Sequence, residues 1–185
     1  MSIRASAFIA TSVDGFIARL DGSIDWLDRA NATIPEGEDC GYKAFFDSID
    51  CIVMGRNTFE LVRGFPEWPY ADKPVVVLSS RTFEIPVALA PMVTSSSELP
   101  AELLLRLETS GYRRVYVDGG ITIQRFLADG LIDDLTITLI PVLLGEGRPL
   151  FGPLTGDVEL ELLSTRSYEF GFVQLSYGPR KPKTA

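Results

Sequence analysis

Short runs of apolar, often β-branched residues alternate along this chain with segments in which apolar residues recur at helical spacing. The runs predict strands at 3–11, 51–54, 74–78, 90–93, 114–118 and 135–142. The intervening segments predict helices at 40–48, from 58 to 62, from Ser97 to Gly111, and after Gly119-Gly120. Two more apolar runs, 158–166 and 172–177, follow without a helix between them and predict an antiparallel hairpin.

This order of elements predicts one α/β domain over residues 1–178, followed by a basic and loose tail at 179–185. The alternation favours a mostly parallel sheet, to which the final hairpin adds an antiparallel edge. The strand at 135–142 contains Pro141, which indicates an edge or a bulge. Because an exposed apolar edge is a liability, we expect a homodimer built on this strand and the loop to Phe151.

Charge and residue usage exclude several classes of function. Lysine and arginine number 17 against 25 aspartate and glutamate, a net charge of −8, which argues against nucleic acid or an anionic membrane surface as the main partner. The absence of histidine excludes a Ser-His-Asp triad, a Cys-His dyad and imidazole metal ligands. Cys40 and Cys51 stand at no metal-ligand spacing, so we expect no metal and a reducing, cytoplasmic location.

The stretch 114–127 predicts a short strand, a Gly119-Gly120 turn and a helix with an apolar stripe, for which Thr122 is a candidate cap. Two glycines allow backbone N–H groups to approach a ligand closely, and a helix N-terminus favours anions. In open α/β sheets, ligands bind at such strand ends. The alternative is an ordinary turn.

Two other strand ends carry arginine and hydroxyl groups. Gly55-Arg56-Asn57-Thr58 follows one predicted strand, and Ser79-Ser80-Arg81 follows the next. If the three ends are adjacent in the sheet, they form an anion cradle in which two guanidinium groups suit phosphate, for example a pyrophosphate with a ribose phosphate. The alternative is that the arginines are solvated surface charges.

These three segments resemble the cofactor motifs of the dihydrofolate reductase fold. The segments 12–18 and 131–151 resemble its riboflavin-biosynthesis reductase branch, which includes the C-terminal domain of the bifunctional deaminase-reductase and its stand-alone relatives. The resemblance implies a three-layer fold with a central sheet of about eight strands that binds NADPH at its carboxyl edge. It also implies pairing of two copies and a cis peptide between Gly119 and Gly120.

The resemblance implies a set of cofactor-binding residues, with Arg56 and Arg81 on the 2′-phosphate. The full set is Ala10, Ile17, Gly55, Arg56, Asn57, Thr58, Leu78, Ser79, Ser80, Arg81, Asp118, Gly119, Gly120, Ile121 and Thr122.

Substrate-side and catalytic residues are less well defined by the sequence. An ungapped count places Asp39 where dihydrofolate reductases carry a carboxylate on their first helix, and the alternative is a helix cap. Without histidine, the proton must come from Asp39, Asp118, Tyr42 or water. Candidate substrate contacts are Asp14, Trp26, Tyr42, Phe45 and Thr138; Trp68 and Tyr70 are further aromatic candidates, and such aromatics also serve as core.

The expected function is NADPH-dependent reduction of a small conjugated heterocycle, pterin-like or riboflavin-precursor-like, by hydride transfer. Two alternatives remain open on the same fold. One is a non-catalytic nucleotide-binding protein, and the other is a scaffold homodimer.

Overall fold

An eight-stranded sheet runs through the centre of the molecule, in the order β5-β4-β3-β6-β1-β7-β10-β9. The computed structural model describes residues 3–180. The strands are β1 Arg4–Ser12, β2 Phe16–Ala18, β3 Cys51–Gly55, β4 Val75–Leu78, β5 Val93–Ser96, β6 Arg114–Asp118, β7 Asp134–Ile140, β8 Arg148–Pro149, β9 Leu160–Ser167 and β10 Val173–Pro179. The helices are α1 Asp25–Asn31, α2 Tyr42–Asp47, α3 Arg56–Val62, α4 Pro100–Thr109 and α5 Gly120–Ala128.

From β5 to β7 in the order of the sheet, neighbouring strands are parallel, whereas β10 pairs antiparallel with both β7 and β9. The short strands β2 and β8 form a separate antiparallel pair. The predicted α/β class, mostly parallel sheet and antiparallel C-terminal edge are therefore confirmed.

Side-chain alternation along the strands builds two separate cores. On β6, Val115 and Val117 are fully buried on the face covered by α4 and α5, while Tyr116 lies on the face covered by α2 and α3. Full burial of each such aliphatic side chain contributes about 1.5–3 kcal/mol. The sheet thus has helices on both faces, and a third cluster around Trp26 and Phe172 packs α1 near β7 and β10.

Strand β7 corrects the expectation of an edge at 135–142. It pairs with β1 on one side and β10 on the other, and it ends at Ile140, so Pro141 lies outside the strand. The reason given above for a dimer interface on this strand is therefore wrong. The C-terminal edge strand is β9, where Leu162 and Leu163 are 51% and 57% exposed.

Three element boundaries also differ from the prediction. The strand expected at 90–93 forms at Val93–Ser96, because residues 86–92 turn on themselves, with the Leu89 N–H donating to the Pro86 carbonyl at 2.8 Å. Helix α4 begins at Pro100 rather than Ser97, since the fixed φ of proline suits a first helical position. The predicted tail starts too early, because β10 includes Pro179; residues 181–185 lie outside the described residues.

The parallel arrangement brings the carboxyl ends of β4, β3, β6 and β1 to one edge of the sheet, in that order. No helix within residues 3–180 has the length and apolar character needed to cross a membrane.

Candidate functional site

A cleft of about 1390 Å³ opens along the carboxyl edge of the sheet. Its walls come from the ends of β1, β3, β4 and β6, from β2 and β8, and from the first turns of α3 and α5. Every residue that was expected to bind the cofactor lines it, namely Ala10, Ile17, Gly55, Arg56, Asn57, Thr58, Leu78, Ser79, Ser80, Arg81, Asp118, Gly119, Gly120, Ile121 and Thr122. The three strand ends therefore meet, as their sequence suggested.

Glycine in the turns after β3 and β6 lets these two segments approach more closely than a residue with a Cβ would allow. A Cβ on Gly55 would lie 2.9 Å from Thr122 Oγ1, and one on Gly119 would lie 2.1 Å from Thr58 Oγ1. Gly119 has φ of 87° and ψ of 140°, a conformation that residues with a Cβ rarely adopt. The β3 and β6 turns are thus packed directly against each other across the cleft floor.

The expected cis peptide between Gly119 and Gly120 is wrong, because residues 3–180 contain no cis peptide bond. The positive φ of Gly119 makes the turn instead. The capping role suggested for Thr122 is also wrong, since α5 begins at Gly120 and Thr122 is buried within its first turn. The start of α5 nevertheless lines the cleft, where its free N–H groups favour an anion.

Three arginines line the cleft with guanidinium groups that make no ion pair and no hydrogen bond within residues 3–180: Arg56, Arg81 and Arg125. Arg56 and Arg81 were expected from the strand ends, but Arg125 was missed. The sequence could have indicated Arg125, because it follows Ile121 by four residues in α5 and so lies on the same face of the helix as that expected cofactor contact. Unpaired guanidinium groups beside exposed backbone amides make this side of the cleft suited to phosphate.

A buried carboxylate surrounded by phenols forms the other chemical feature of the cleft. Asp118 is 8% exposed; its Oδ2 accepts a hydrogen bond from the Tyr70 hydroxyl at 2.9 Å, and its Oδ1 accepts one from the Gly119 N–H at 2.8 Å. Tyr42, Tyr70 and Tyr116 line the cleft beside it. Tyr116 donates to the Phe8 carbonyl at 2.9 Å, whereas no described residue accepts from the Tyr42 hydroxyl.

Burial is the main influence on the pKa values of Asp118 and of the tyrosine hydroxyls beside it. It raises the pKa of the Asp118 carboxyl, and the hydrogen bonds from Tyr70 and Gly119 oppose the rise. Burial and then the charge of Asp118 raise the pKa of Tyr42 to about 12 and also raise that of Tyr70. The phenols are therefore neutral hydrogen-bond donors at physiological pH, and Asp118 holds a proton more tightly than a solvated aspartate does.

The structure does not bring Asp39 to the cleft. Asp39 is exposed, and its two oxygens accept hydrogen bonds from the N–H groups of Gly41 and Lys43, both at 2.8 Å, at the start of α2. The backbone of Lys43 and then that of Gly41 lower the pKa of Asp39. Asp39 thus caps a helix, and its expected catalytic role is corrected.

Four of the five expected substrate contacts lie outside the cleft, and Tyr42 alone among them lines it. Asp14 links the turn after β1 to the loop after β7, because it accepts hydrogen bonds from Ser12 Oγ at 2.6 Å and from the Gly145 N–H at 2.7 Å. Trp26 and Phe45 are core residues, and Thr138 is buried in β7, where it accepts from Gln174 Nε2 at 3.0 Å. These side chains already have structural partners.

Among the other aromatics, Tyr70 lines the cleft while Trp68 packs against Phe59 and Tyr70 in the core. Tyr116 was missed as a site residue because β-strand aromatics usually serve as core.

This sheet order, with a phosphate-suited cleft at its carboxyl edge and an antiparallel C-terminal hairpin, defines a protein of the dihydrofolate reductase-like fold. Dihydrofolate reductase from Enterococcus faecalis complexed with NADP(H) and RAB-propyl superposes with a TM-score of 0.63 at 19% identity, over 96% of this chain and 97% of that one. At that identity, the likeness shows the fold alone.

The chain belongs to the RibD C-terminal domain family, whose model matches residues 6–173. It is 37% identical over 181 residues to the uncharacterized protein YwjB of Bacillus subtilis strain 168, covering 96% of this chain and 98% of the relative. The crystal structure of a putative riboflavin biosynthesis protein from Shewanella sp. PV-4 superposes with a TM-score of 0.90 at 37% identity, over 97% and 100% of the two chains.

Proposed function

We propose that this protein is an NADPH-dependent reductase that reduces a small conjugated heterocycle by hydride transfer. The observation that carries the proposal is the group of three unpaired arginines, Arg56, Arg81 and Arg125, in one cleft with two glycine turns and the start of α5. Membership of a family with a reductase-type fold supports it.

The residues present fit a dinucleotide phosphate. The Gly119 position has no room for a Cβ, so the backbone itself forms this part of the wall. The Gly119 N–H donates to Asp118 Oδ1, and the N–H groups that follow it at the start of α5 are available to an anion. In this proposal the turn at Gly119–Thr122 holds the pyrophosphate, Arg56 and Arg81 hold the 2′-phosphate, and Ala10 and Ile17 flank the nicotinamide. NADPH, when bound, supplies the hydride.

The chain itself supplies position and a proton. Tyr70 fixes the Asp118 carboxyl through its hydroxyl, and the raised pKa of that carboxyl suits proton donation to a reduced substrate nitrogen or carbon. Tyr42, with a hydroxyl that has no partner among the described residues, is a second donor. Asp118 and Tyr42 are therefore the proposed catalytic residues.

The proposal is tested by calorimetric titration of NADPH and NADH into the wild type, Arg81→Ala and Arg113→Ala. Arg113 is an exposed arginine just before β6, at the opposite edge of the sheet, and serves as the matched control. Charge-assisted contacts of about 1.5–3 kcal/mol each predict that NADPH binds at least about tenfold more tightly than NADH. Arg81→Ala should reduce this preference, whereas Arg113→Ala should leave it unchanged.

Equal affinity for the two cofactors in the wild type would contradict the cofactor assignment. Steady-state oxidation of NADPH with pterins, flavin precursors and other conjugated heterocycles then separates a reductase from a non-catalytic nucleotide-binding protein, which would bind NADPH without oxidising it. A scaffold homodimer would neither bind NADPH in preference to NADH nor oxidise it.

We also propose that two copies associate through the C-terminal edge of the sheet. Strand β9 exposes Leu162 and Leu163 next to an unpaired strand edge, and such edges favour pairing with another chain. The expected cytoplasmic location stays a prediction.

A further inference from the structure

We infer that a second ligand site, separate from the cleft, binds a single-ring aromatic carboxylate. The site is a groove of about 270 Å³ between α1, the end of β7 and the turn that joins β9 to β10, which we call the α1 groove. Pockets for drug-sized molecules occupy about 300–1,000 Å³, so this volume suits one ring with a small substituent. The inference goes beyond the proposed function and does not rest on it.

Aromatic and aliphatic side chains form the interior of the α1 groove. Trp26 of α1, Ile140 at the end of β7 and Phe172 line it, and each is 2% exposed. Phe170 lies beside them and packs edge to face with Phe172, with ring centroids 4.8 Å apart. An aromatic guest can extend such an arrangement with further stacked or edge-to-face contacts.

The indole N–H of Trp26 is a buried donor without an acceptor. Trp26 Nε1 is almost completely buried and has no hydrogen-bond partner among the described residues. Buried tryptophans usually find a partner for this group, and an unpaired buried donor is unfavourable. Because Trp26 lines the α1 groove, an acceptor oxygen of a ligand can satisfy the donor once the ring turns slightly toward the groove.

Arg29 gives the rim of the α1 groove a positive charge. It lines the groove with its side chain 68% exposed, whereas the neighbouring Asp28 does not line it. One N–H of Arg29 donates to Asp25 Oδ2 at 2.8 Å, and Arg19 binds the same carboxylate through two further hydrogen bonds. The other N–H groups of Arg29 have no acceptor within residues 3–180. A guanidinium with such donors binds a carboxylate in bidentate fashion.

The size of the α1 groove favours a small molecule over a second copy of the chain. Nine residues line the groove, whereas a stable protein interface uses about 20–30 residues on each side. A neutral aromatic molecule would fill the interior but would leave the Arg29 guanidinium without a partner. An aromatic carboxylate uses the apolar interior, the Trp26 N–H and the charge at the rim together.

Helix α1 separates the α1 groove from the cleft. Ile24 and Leu27 line the cleft, whereas Trp26, Arg29 and Ala30 line the groove. No residue of the described chain lines both. The two cavities can therefore be occupied at the same time.

Calorimetric titration of benzoate and benzamide tests the charge preference. Both have the same ring and an acceptor oxygen, but only benzoate is an anion. Because Arg29 is well exposed, we expect benzoate to bind the wild type at least about threefold more tightly. Arg29→Gln should remove this preference. Arg180→Gln should keep it and is the matched control, because Arg180 is exposed and pairs with Glu159 at 3.1 Å but lies outside the groove.

The indole N–H signals in the NMR spectrum of the nitrogen-labelled protein locate the ligand. The chain contains two tryptophans, Trp26 and Trp68, and Trp26→Phe assigns their signals. Benzoate should move the Trp26 signal downfield, as a new acceptor does. Trp68 is the internal control, because its Nε1 also lacks a partner among the described residues but lies outside the groove. Trp26→Phe should weaken benzoate binding by about two- to tenfold.

Several results would overturn the inference. They are equal affinity for benzoate and benzamide, an unchanged preference in Arg29→Gln, a Trp26 signal that does not move, and no benzoate binding up to about 10 mM. A wild-type dimer that Ala30→Arg converts to a monomer by light scattering would instead assign the groove to a second copy of the chain. Melting temperatures check that each variant is folded. None of these measurements uses NADPH, so failure of the proposed function would leave this inference standing.

Discussion

Replacement of Gly119 by alanine tests the packing of the two glycine turns, which is the structural basis of the cofactor proposal. The new methyl group would lie 2.1 Å from Thr58 Oγ1 and 3.2 Å from Thr58 Cβ, so either Thr58 or the β6 turn must move. The residue would also have to keep a φ of 87°, which is unfavourable for alanine.

Substitution of a second glycine separates the cost of the backbone conformation from the cost of the steric overlap. Gly111, after α4, has φ of 95°, but a Cβ there would meet no atom within 4 Å. Gly111→Ala should therefore show backbone strain alone, about 1–3 kcal/mol of unfolding free energy. Gly119→Ala adds the steric overlap with Thr58, about 1–3 kcal/mol more.

Urea unfolding of the two alanine variants and the wild type measures the difference. Addition of Thr58→Ala should recover most of the excess cost in Gly119→Ala, because it removes the hydroxyl that the methyl group meets, and should recover none in Gly111→Ala. Equal destabilisation of Gly119→Ala and Gly111→Ala would refute the argument that the β3 and β6 turns are in direct contact.

Three further predictions concern single side chains. Asp39→Ala should lower the unfolding free energy by about 0.5–2 kcal/mol in urea, as for a lost helix cap; a loss of NADPH oxidation with unchanged stability would contradict the capping role. The raised pKa of Asp118 stabilises the fold fully below its ordinary value of 3.8, and this contribution is lost as pH rises through the higher folded-state pKa. The stability of Asp118→Asn relative to the wild type should therefore improve from about pH 4 to about pH 7 in urea titrations, and a constant difference would contradict the pKa direction. Leu162→Lys on β9 should convert the proposed dimer to a monomer by light scattering, since an edge lysine opposes strand pairing, whereas a monomeric wild type would contradict the dimer.

The cofactor side of the cleft could be predicted from sequence because its residues are local to strand ends. Gly55-Arg56, Ser79-Ser80-Arg81 and Gly119-Gly120 each follow an apolar run directly. Once the alternation of elements predicts a parallel sheet, the strand ends must share one edge. The sequence left the order of the strands open, and the structure shows that β4, β3 and β6 are consecutive in the sheet, so their three ends are neighbours.

The substrate side could not be predicted in the same way because its residues come from segments without a regular pattern. Tyr70 lies in the irregular segment 63–74, and its contact with Asp118 spans 48 residues. Asp39 was a reasonable candidate by position, but its oxygens accept backbone N–H groups two and four residues further along the chain. Such backbone N–H groups compete with a ligand for any aspartate near the start of a helix. A count of residues does not show whether the aspartate binds the backbone or the ligand.

The same strand, β6, places a carboxylate on one side of the cleft and backbone amides on the other, although Asp118 and Gly119 are adjacent in sequence. Asp118 shares its face with Tyr116, whereas Val115 and Val117 face α4 and α5. A slip of β6 by one residue would exchange these faces: it would expose the valines to the α2 side and move the carboxylate toward α5, where Arg125 lies. An ion pair there would remove both the free carboxylate and a free arginine of the cleft. The apolar alternation that buries Val115 and Val117 on the α4 and α5 face therefore also keeps the Asp118 carboxylate on the opposite face from Arg125 of α5.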